Sequence, residues 1–390
     1  MTWNAQEMNN ITIKHVIVHE LLKVSNEDFD HSRPYNLRET ELDKNNPIVK
    51  QLVKGVVDLY GSKGNAAHYG IFKSSREDQG PVPSLFHQYY QVQDSVSDDF
   101  IILSKEIMKQ MYLSAKEQTW ASGGYVVFSD YISLGLRFLL VTMIKKTNGV
   151  TISERLEPEE MIHLEMNNIN QAAKINFHYY HQYQEANEVE RTELSYLSFI
   201  SKTTGQSAAA YFIAALGCDK GIASAGATRK LPNEVRKFFK KNKETMPHAD
   251  RIRNKIIKYL EVKFESEQSA KLSDIEAVVT AELSFLPDDK REPKIRELMQ
   301  HLNSEEVRIP TEFVINKTSL DKIRNVIFKT DQYSFNFDKD LLGVTADATI
   351  FYDNASGNLT FSNLPVEAKT KITNALKEMN ITLDNNDARE

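Results

Sequence analysis

Cysteine is almost absent from this sequence of 390 residues, in which Cys218 is the only one. A single cysteine excludes a disulfide within the chain and a four-cysteine zinc site, so we expect a reducing compartment, the cytoplasm, and a buried structural thiol. Glycine is also scarce, at 15 residues. This argues against glycine-rich nucleotide-binding loops and against solenoids with a glycine turn in each repeat.

Signature motifs and long apolar runs are missing as well. The sequence contains no GxGxxG, GxxxxGKS/T, HExxH, GxSxG or CxxC motif, so no dinucleotide, P-loop, zincin or serine-hydrolase site is indicated. The most apolar stretch, residues 131–144, includes Arg137 and is shorter than the roughly 20 residues of a spanning helix. The N-terminus lacks the cationic start and apolar run of a signal peptide. We therefore expect a soluble protein without a membrane partner.

Hydrophobic periodicity predicts strands and helices in the first half of the chain. Residues 11–23 are rich in β-branched side chains and predict a strand, whereas residues 26–46 are polar and acidic and indicate a loop. Pro47, after the candidate capping residues Asn45 and Asn46, predicts a helix to about Tyr60. A second helix is expected over residues 98–118. Further strands are expected at 125–128, 134–144, 150–152 and 173–183, with residues 123–155 forming an antiparallel meander.

The pattern becomes helical from residue 194 and returns to strands near the end. Helices are predicted over residues 206–216, 232–243, 248–264, 273–283 and 292–302 and from Thr318, followed by strands at 333–337, 348–352 and 359–361. The predicted fold class is α+β, with an N-terminal antiparallel sheet and flanking helices, a helical middle and a small C-terminal antiparallel sheet. The predicted domains are residues 1–185, 186–305 and 306–383, before a frayed tail at 384–390.

Histidine pairs and aromatic clusters are the first candidates for chemistry. His15 and His19, like His178 and His181, lie in predicted strands, where residues three or four apart are badly placed to share a metal, so we interpret them as polar surface residues. The aromatic residues at 89–90 and 177–183 could stack on nucleic-acid bases. Aromatic residues also pack on sheets, and we favour packing.

A metal-nuclease site has weak support. Glu261-Val262-Lys263 matches half of such a motif, but the tripeptide is common by chance and lies in a predicted helix. No aspartate is convincingly placed upstream. We therefore predict no catalytic residues, no cofactor and no metal.

Charge distribution is the informative positive feature. The chain has 48 basic and 54 acidic residues, a net charge of −6, which excludes a uniformly basic nucleic-acid binder. Residues 229–258 nevertheless hold eleven basic and three acidic residues, so this segment carries +8 and the other 360 residues carry −14. The sequence thus places a basic segment on an acidic body.

Helical geometry sharpens this observation. At 100° per residue, the basic residues at 251, 255 and 258 share a face beside an apolar arc, and those at 236, 237 and 240 point away from Val235, Phe238 and Phe239. Such faces suit phosphate contact without base reading, although a merely solvated charged face is the alternative. The candidate DNA-binding residues are Arg229, Lys230, Arg236, Lys237, Lys240, Lys241, Lys243, Arg251, Lys255 and Lys258.

Groups of residues along nearly the whole chain, from about 11 to 370, resemble one protein family. They are Leu59-Tyr60, Lys63, Asn65, Ala67, Tyr69-Gly70, Phe72, Gly123-Gly124-Tyr125-Val126-Val127-Phe128, Tyr196-Leu197-Ser198-Phe199, Tyr211-Phe212, Leu216-Gly217, Thr228-Arg229, Phe335-Asn336-Phe337-Asp338 and Leu341-Leu342-Gly343. In order and spacing the chain resembles the 37-kDa nucleoid-associated proteins of bacteria (NdpA-like). The resemblance implies nucleoid association and DNA binding, with no established catalysis or cofactor and no site residues.

Together, these observations predict a non-enzymatic bacterial protein of the cytoplasmic nucleoid. We expect it to bind double-stranded DNA through phosphate contacts, mostly without sequence specificity, and so to serve chromosome organisation. A protein–protein adaptor or regulator of DNA-handling enzymes is the alternative, suggested by the acidic body, and a metal-dependent nuclease is a third.

Overall fold

The computed structural model describes residues 11–24, 26–27, 31–60, 67–73, 79–92, 97–116, 118, 121–153, 155–164, 171–201, 212–220, 224–345 and 347–381. They belong to two units, one within residues 1–320 and the other within residues 321–390. The division of the sequence into three domains stays a prediction.

The first unit contains twelve strands among its described residues. They are β1 (Ile11–Leu21), β2 (Tyr35–Asn36), β3 (Ala67–Phe72), β4 (Gly124–Ser133), β5 (Leu136–Ile144), β6 (Lys146–Ile152), β7 (Pro158–Leu164), β8 (Gln171–Asn176), β9 (Leu197–Ser201), β10 (Cys218–Lys220), β11 (Ala270–Lys271) and β12 (Glu312–Phe313). Its helices are α1 (Pro47–Tyr60), α2 (Val82–Gln91), α3 (Ser97–Lys116), α4 (Phe177–Glu185), α5 (Glu188–Arg191), α6 (Ser224–Lys240), α7 (Ala249–Glu265), α8 (Leu272–Glu282) and α9 (Asp288–Leu302). A further helix, α10 (Lys317–Arg324), spans the division between the units.

An eight-stranded sheet, antiparallel throughout, organises the first unit. Its strand order is β10-β3-β9-β8-β5-β4-β1-β2. The backbone groups at its margins have partners: the Leu42 amide donates to the Val16 carbonyl, and the Asn303 side chain both accepts from the Ala67 amide and donates to the Ala67 carbonyl. Beside this sheet, β6 and β7 form a separate two-stranded hairpin, and β11 pairs with β12.

The sheet is covered on both faces. On one face, α2, α3 and α4 bury side chains such as Phe86, Met111 and Tyr180 against Phe128 and Leu139. On the other, α1 packs Val56 and Tyr60 against strand residues that include Val127 and Leu140. Burial on both faces explains why strands β4 and β5 are almost continuously apolar rather than alternating.

The second unit is a small mixture of strands and one helix. It contains β13 (Asn325–Lys329), β14 (Ser334–Asp338), β15 (Leu342–Gly343), β16 (Ile350–Asp353), β17 (Asn358–Phe361) and α11 (Val366–Glu378). Pairs β13–β14 and β16–β17 are antiparallel, while β15 runs parallel to β16. The predicted α+β class, with a sheet first, helices in the middle and small sheets last, is confirmed.

The predicted helix starting at Pro47 is confirmed to the residue, because the Asn46 side chain accepts from the Ile48 amide. The predicted helices at 98–118, 248–264, 273–283 and 292–302 correspond to α3, α7, α8 and α9. The described end of the 206–216 prediction, residues 212–215, is helical, and Gly217 follows at φ +65°. The remainder of that prediction and the tail at 384–390 lie outside the described residues.

Four local predictions are wrong. The strand expected over 173–183 ends at Asn176, whose side chain accepts from the amides of His178 and Tyr179 and thereby starts α4. Residues 197–201 are a strand and not part of a helical region. The predicted helix at Pro232 begins at Ser224, with the proline inside it. The expected meander stops after β5, because among the described strands β6 pairs with β7 and not with β5.

Among the described residues, no helix has both the length and the apolarity to cross a bilayer.

Candidate nucleic-acid interface

Helices α6 and α7 form an antiparallel pair that carries most of the basic segment. Two contacts fix the register: Arg236 on α6 binds Asp250 on α7, and the Arg253 Nε on α7 donates to the Asn233 side chain over 3.3 Å. The apolar arcs are buried as the helical geometry predicts, with Val235 and Phe239 from α6 and Ile252, Ile256 and Leu260 from α7 fully inaccessible to solvent. The basic residues are thereby left outside.

The candidate DNA-binding residues do face outward. Lys230 and Arg236 are half-buried, and the other eight are exposed: Arg229, Lys237, Lys240, Lys241, Lys243, Arg251, Lys255 and Lys258. Their orientation on the two helices is the one that helical periodicity predicts.

Ion pairs divide these residues into two classes. Six have a carboxylate partner: Arg229 with Glu193, Arg236 with Asp250, Lys237 with Glu234 at 2.7 Å, Lys240 with Asp250 at 3.5 Å, Arg251 with Glu282 at 2.7 Å and Lys258 with Glu261 at 3.1 Å. The other four, Lys230, Lys241, Lys243 and Lys255, form no ion pair with a carboxylate among the described residues. Of these four, Lys241, Lys243 and Lys255 are exposed.

Asp250 is the acidic residue with the greatest influence on this surface. Its carboxylate receives both Arg236 and Lys240, and the hydrogen bond from Arg236 lowers the pKa of Asp250 below its usual value. Exposed pairs of this kind contribute little to stability, about 0–1 kcal/mol. Loss of Asp250 as the partner of these cations therefore costs the fold little.

Lys230 differs from the other candidates because it is partly buried near two arginines. Burial lowers the pKa of its ammonium group, and the positive charges of Arg308 and Arg229 lower it further, against the opposing charges of Glu193 and Glu234. Arg308 did not figure among the predicted site residues. No local motif marks it, because it lies in an irregular segment after α9 and reaches Lys230 only through the fold.

One histidine pair lies on its predicted strand and the other does not: His15 and His19 belong to β1, as predicted. His19 is buried, accepts from the Arg38 amide at Nδ1 and contacts Ser104 Oγ through Nε2 at 2.9 Å, so its interpretation as a surface residue is wrong. His178 and His181 lie on α4, a helix, and not on a strand. In the part of the chain that the structure describes, no group of three metal-ligating side chains comes together.

The aromatic clusters pack, as favoured. Tyr89 is fully buried and donates to the buried Asp130, while Tyr180 packs edge-on against Phe86 at 5.0 Å. Their rings belong to the main core. Cys218 is buried in the same core, as predicted.

The half-motif for a nuclease is occupied by contacts within the protein. Glu261 is buried beside Lys258, and Lys263 lies 3.2 Å from Asp274. Both residues lie on α7, in agreement with the predicted helix.

Comparison with known proteins supplies the family. Residues 17–369 match the family model described as nucleoid-associated protein YejK. A nucleoid-associated protein of Metapseudomonas resinovorans is 24% identical over 360 residues, 92% of this chain and 98% of its own length. One from Azotobacter vinelandii is 24% identical over 362 residues, 92% and 97% of the two chains. One from Pseudomonas fluorescens is 26% identical over 370 residues, 94% and 99%. Because the family model matches most of its sequence, the chain belongs to the nucleoid-associated protein YejK family.

Proposed function

We propose that this protein binds double-stranded DNA through phosphate contacts made by the α6–α7 surface, largely without sequence specificity. Membership of a nucleoid-associated family gives it a role at the bacterial nucleoid, in the cytoplasm. DNA is the abundant polyanion at that location. The observation that carries the proposal is the presence of three exposed lysines without acidic partners among the described residues: Lys241 and Lys243 in the turn after α6, and Lys255 on α7.

The chemistry of the surface favours phosphate over bases. Lysine ammonium groups on flexible stems make point-charge contacts, and a base-reading site would call for bidentate arginine, asparagine or glutamine side chains. The arginines nearby are already held: Arg236 by Asp250, Arg251 by Glu282 and Arg229 by Glu193. Binding through such a surface depends on counterion release and varies little with sequence.

Fluorescence anisotropy with a labelled duplex of random sequence, at several salt concentrations, tests the proposal. If about four phosphates are neutralised at once, the logarithm of affinity falls with the logarithm of salt with a slope of about −3.6. A second duplex of unrelated sequence should give the same curve. Absence of binding at micromolar protein and low salt contradicts the proposal.

A protein–protein adaptor for DNA-handling enzymes is the second candidate. Two observations favour it. Six candidate cations are paired with carboxylates, and the residues outside 229–258 carry a net charge of −14. Capture of partners from a bacterial lysate, with and without nuclease, separates the two functions. Partners retained after DNA is destroyed support the adaptor, and partners lost with the DNA support DNA binding.

We also propose that the protein is not an enzyme. Supercoiled plasmid incubated with the purified protein and Mg²⁺ or Mn²⁺ should stay intact. Cleavage that disappears in Glu261→Ala would contradict this and restore the nuclease hypothesis.

A further inference from the structure

A small cavity lies at the start of α6. The exposed lysines Lys241, Lys243 and Lys255, here called the outer lysines, are not among its walls. It measures about 40 Å³, and its walls include Tyr179, Ser195, Gly226, Lys230 and Arg308. At roughly 10–15 Å³ for each water-sized centre, it has room for about three or four oxygen atoms. A nucleobase or a sugar does not fit in it, but the oxygens on one side of a tetrahedral anion do.

Arg308 enters this cavity with unused hydrogen-bonding capacity. The residue is only 7% exposed, and its guanidinium packs between the rings of Tyr69 and Tyr179, at 4.9 and 4.3 Å from their centres. One nitrogen, Nη1, donates to the Ser195 carbonyl. The other two, Nε and Nη2, have no acceptor at hydrogen-bonding distance among the described residues. Polar groups beside them are the Glu305 carboxylate, 3.9 Å from Nη2, and the Tyr69 hydroxyl.

The free energy of the empty cavity is raised by the unsatisfied donors of the buried Arg308 guanidinium. A buried charged donor without an acceptor costs more than an ordinary missing hydrogen bond, and native proteins satisfy nearly all such groups with protein atoms, water or a bound ion. Two donors of one guanidinium, side by side in a plane, match two oxygens of a phosphate.

Lys230 supplies a second cation in the same cavity. It is half-buried, and no described carboxylate forms an ion pair with it. Two acidic residues also line the wall: Glu193, which pairs with Arg229 and partly offsets the positive charges around Lys230, and Glu306, which is exposed to solvent. Two neighbouring cations repel each other when the cavity is empty and are both stabilised when an anion lies between them.

The first turn of α6 adds amide donors. Gly226 and Ala227 belong to this turn, in which backbone amides have no acceptor within the helix and the helix dipole is positive. This feature agrees with the side chains but would not by itself define a site.

We infer that this cavity binds one phosphate group, through the Nε and Nη2 atoms of Arg308 and the ammonium group of Lys230. The group is either inorganic phosphate or a backbone phosphate of DNA. The second source rests on the proposed function, because Lys230 directly follows Arg229 on the helix that leads to the outer lysines. The first source does not depend on it.

Isothermal titration calorimetry of the full chain with inorganic phosphate, at constant ionic strength set by chloride, is the direct test. The unmodified protein should bind one phosphate per chain, and Lys230→Gln should weaken binding tenfold or more, as loss of a charge-assisted hydrogen bond requires. Arg308→Gln should abolish binding. Lys371→Gln, which removes an exposed lysine of α11, is the matched control and should bind phosphate normally. Lys230→Gln keeps the test valid if Arg308→Gln does not fold.

Failure of the unmodified protein to bind phosphate above chloride overturns the inference, as does equal binding by Lys230→Gln. Competition with a short duplex then identifies the source. If the duplex displaces phosphate from the unmodified protein, the cavity takes a DNA phosphate. If phosphate binds and the duplex neither binds nor competes, the cavity serves free phosphate and only the proposed function fails.

Discussion

Arg236 of α6 and Asp250 of α7 form an ion pair between the two basic helices, and the same carboxylate also receives Lys240 at 3.5 Å. One acidic residue thus occupies two of the candidate DNA-binding cations. Its position in the first turn of α7 also places it at the positive end of that helix.

Removing this carboxylate should strengthen DNA binding. Asp250→Asn frees Arg236 and Lys240 for phosphate, so affinity for a random duplex should rise and the salt slope should steepen by about one to two units. Loss of the helix-dipole interaction should cost stability by only about 0.3–1 kcal/mol. Anisotropy titrations over a range of salt concentrations measure the effect. Glu312→Gln, distant from this surface in sequence and likewise exposed, is the control, and an unchanged slope in Asp250→Asn would contradict phosphate contact by these cations.

The exposed lysines without an acidic partner among the described residues should account for a large share of the salt dependence of DNA binding. Replacing Lys241, Lys243 and Lys255 together by alanine removes about 2.7 units of slope if each contacts a phosphate, because each contact contributes about 0.9. All duplexes should be weakened alike. The control replaces the same number of exposed lysines on α11, namely Lys369, Lys371 and Lys377, which lose equal charge outside the proposed surface. If the two triple variants weaken binding equally, binding depends on the overall charge of the protein and not on the proposed surface.

The buried pair of Asp130 and Arg137 should be essential for stability. Asp130 is fully buried, accepts from the Arg137 Nε over 3.0 Å and also receives the Tyr89 hydroxyl, so Arg137→Ala leaves a buried carboxylate without its cation. We expect a loss of about 3–5 kcal/mol in the free energy of unfolding, measured by urea denaturation. Arg236→Ala breaks an exposed pair of the same residue types and should cost about 1 kcal/mol or less. Similar losses in the two variants would contradict this account.

His19 should make the fold sensitive to acid. Burial, aided by the charges of Lys105 and Arg38, lowers its pKa to about 4. In the unfolded chain His19 takes up a proton near pH 6.5, whereas in the folded protein it does so only near pH 4. The contribution of His19 to the free energy of unfolding is therefore fully present above pH 6.5. It is lost as the pH falls toward 4, and the loss amounts to about 3 kcal/mol.

Urea denaturation between pH 7 and pH 4 measures the contribution of His19. The free energy of unfolding of His19→Gln should fall less steeply with pH than that of the unmodified protein, whatever its value at pH 7. His181→Gln, at an exposed position on α4, should follow the unmodified protein. Parallel curves for His19→Gln and the unmodified protein would show that this histidine does not control the acid response.

Sequence patterns predicted elements whose signals are local. The helix from Pro47 was predictable because the cap, the proline and the apolar spacing all lie within a few residues. The strand was expected through Tyr183 because aromatic residues favour strands by propensity. In the structure, the cap at Asn176 and the packing of Phe177 and Tyr180 in the core produce a helix instead. The helix expected from Pro232 starts earlier because burial of Ala225, Ala227 and Leu231 outweighs the missing proline donor.

For the candidate site, helical spacing predicted which cations face outward and nothing about their partners. Glu193 and Glu282, which neutralise Arg229 and Arg251, lie more than 30 residues away along the chain and reach them only through the tertiary fold. The same holds for Arg308 beside Lys230. Charge counted along the sequence therefore overstates the cationic character of a surface whenever the fold brings acidic residues to it.

The contact of Asn303 with Ala67 has a consequence for behaviour at high concentration. An exposed strand margin invites another chain to add its own strand, which is a common start of aggregation. Here the amide of one side chain uses both backbone groups of Ala67 at the end of β3, and Leu42 covers Val16 near the opposite margin. A neighbouring molecule finds these groups already occupied. A strand from a second chain could pair at Ala67 or Val16 only after these contacts within the chain are broken, which disfavours association through the sheet at these two positions.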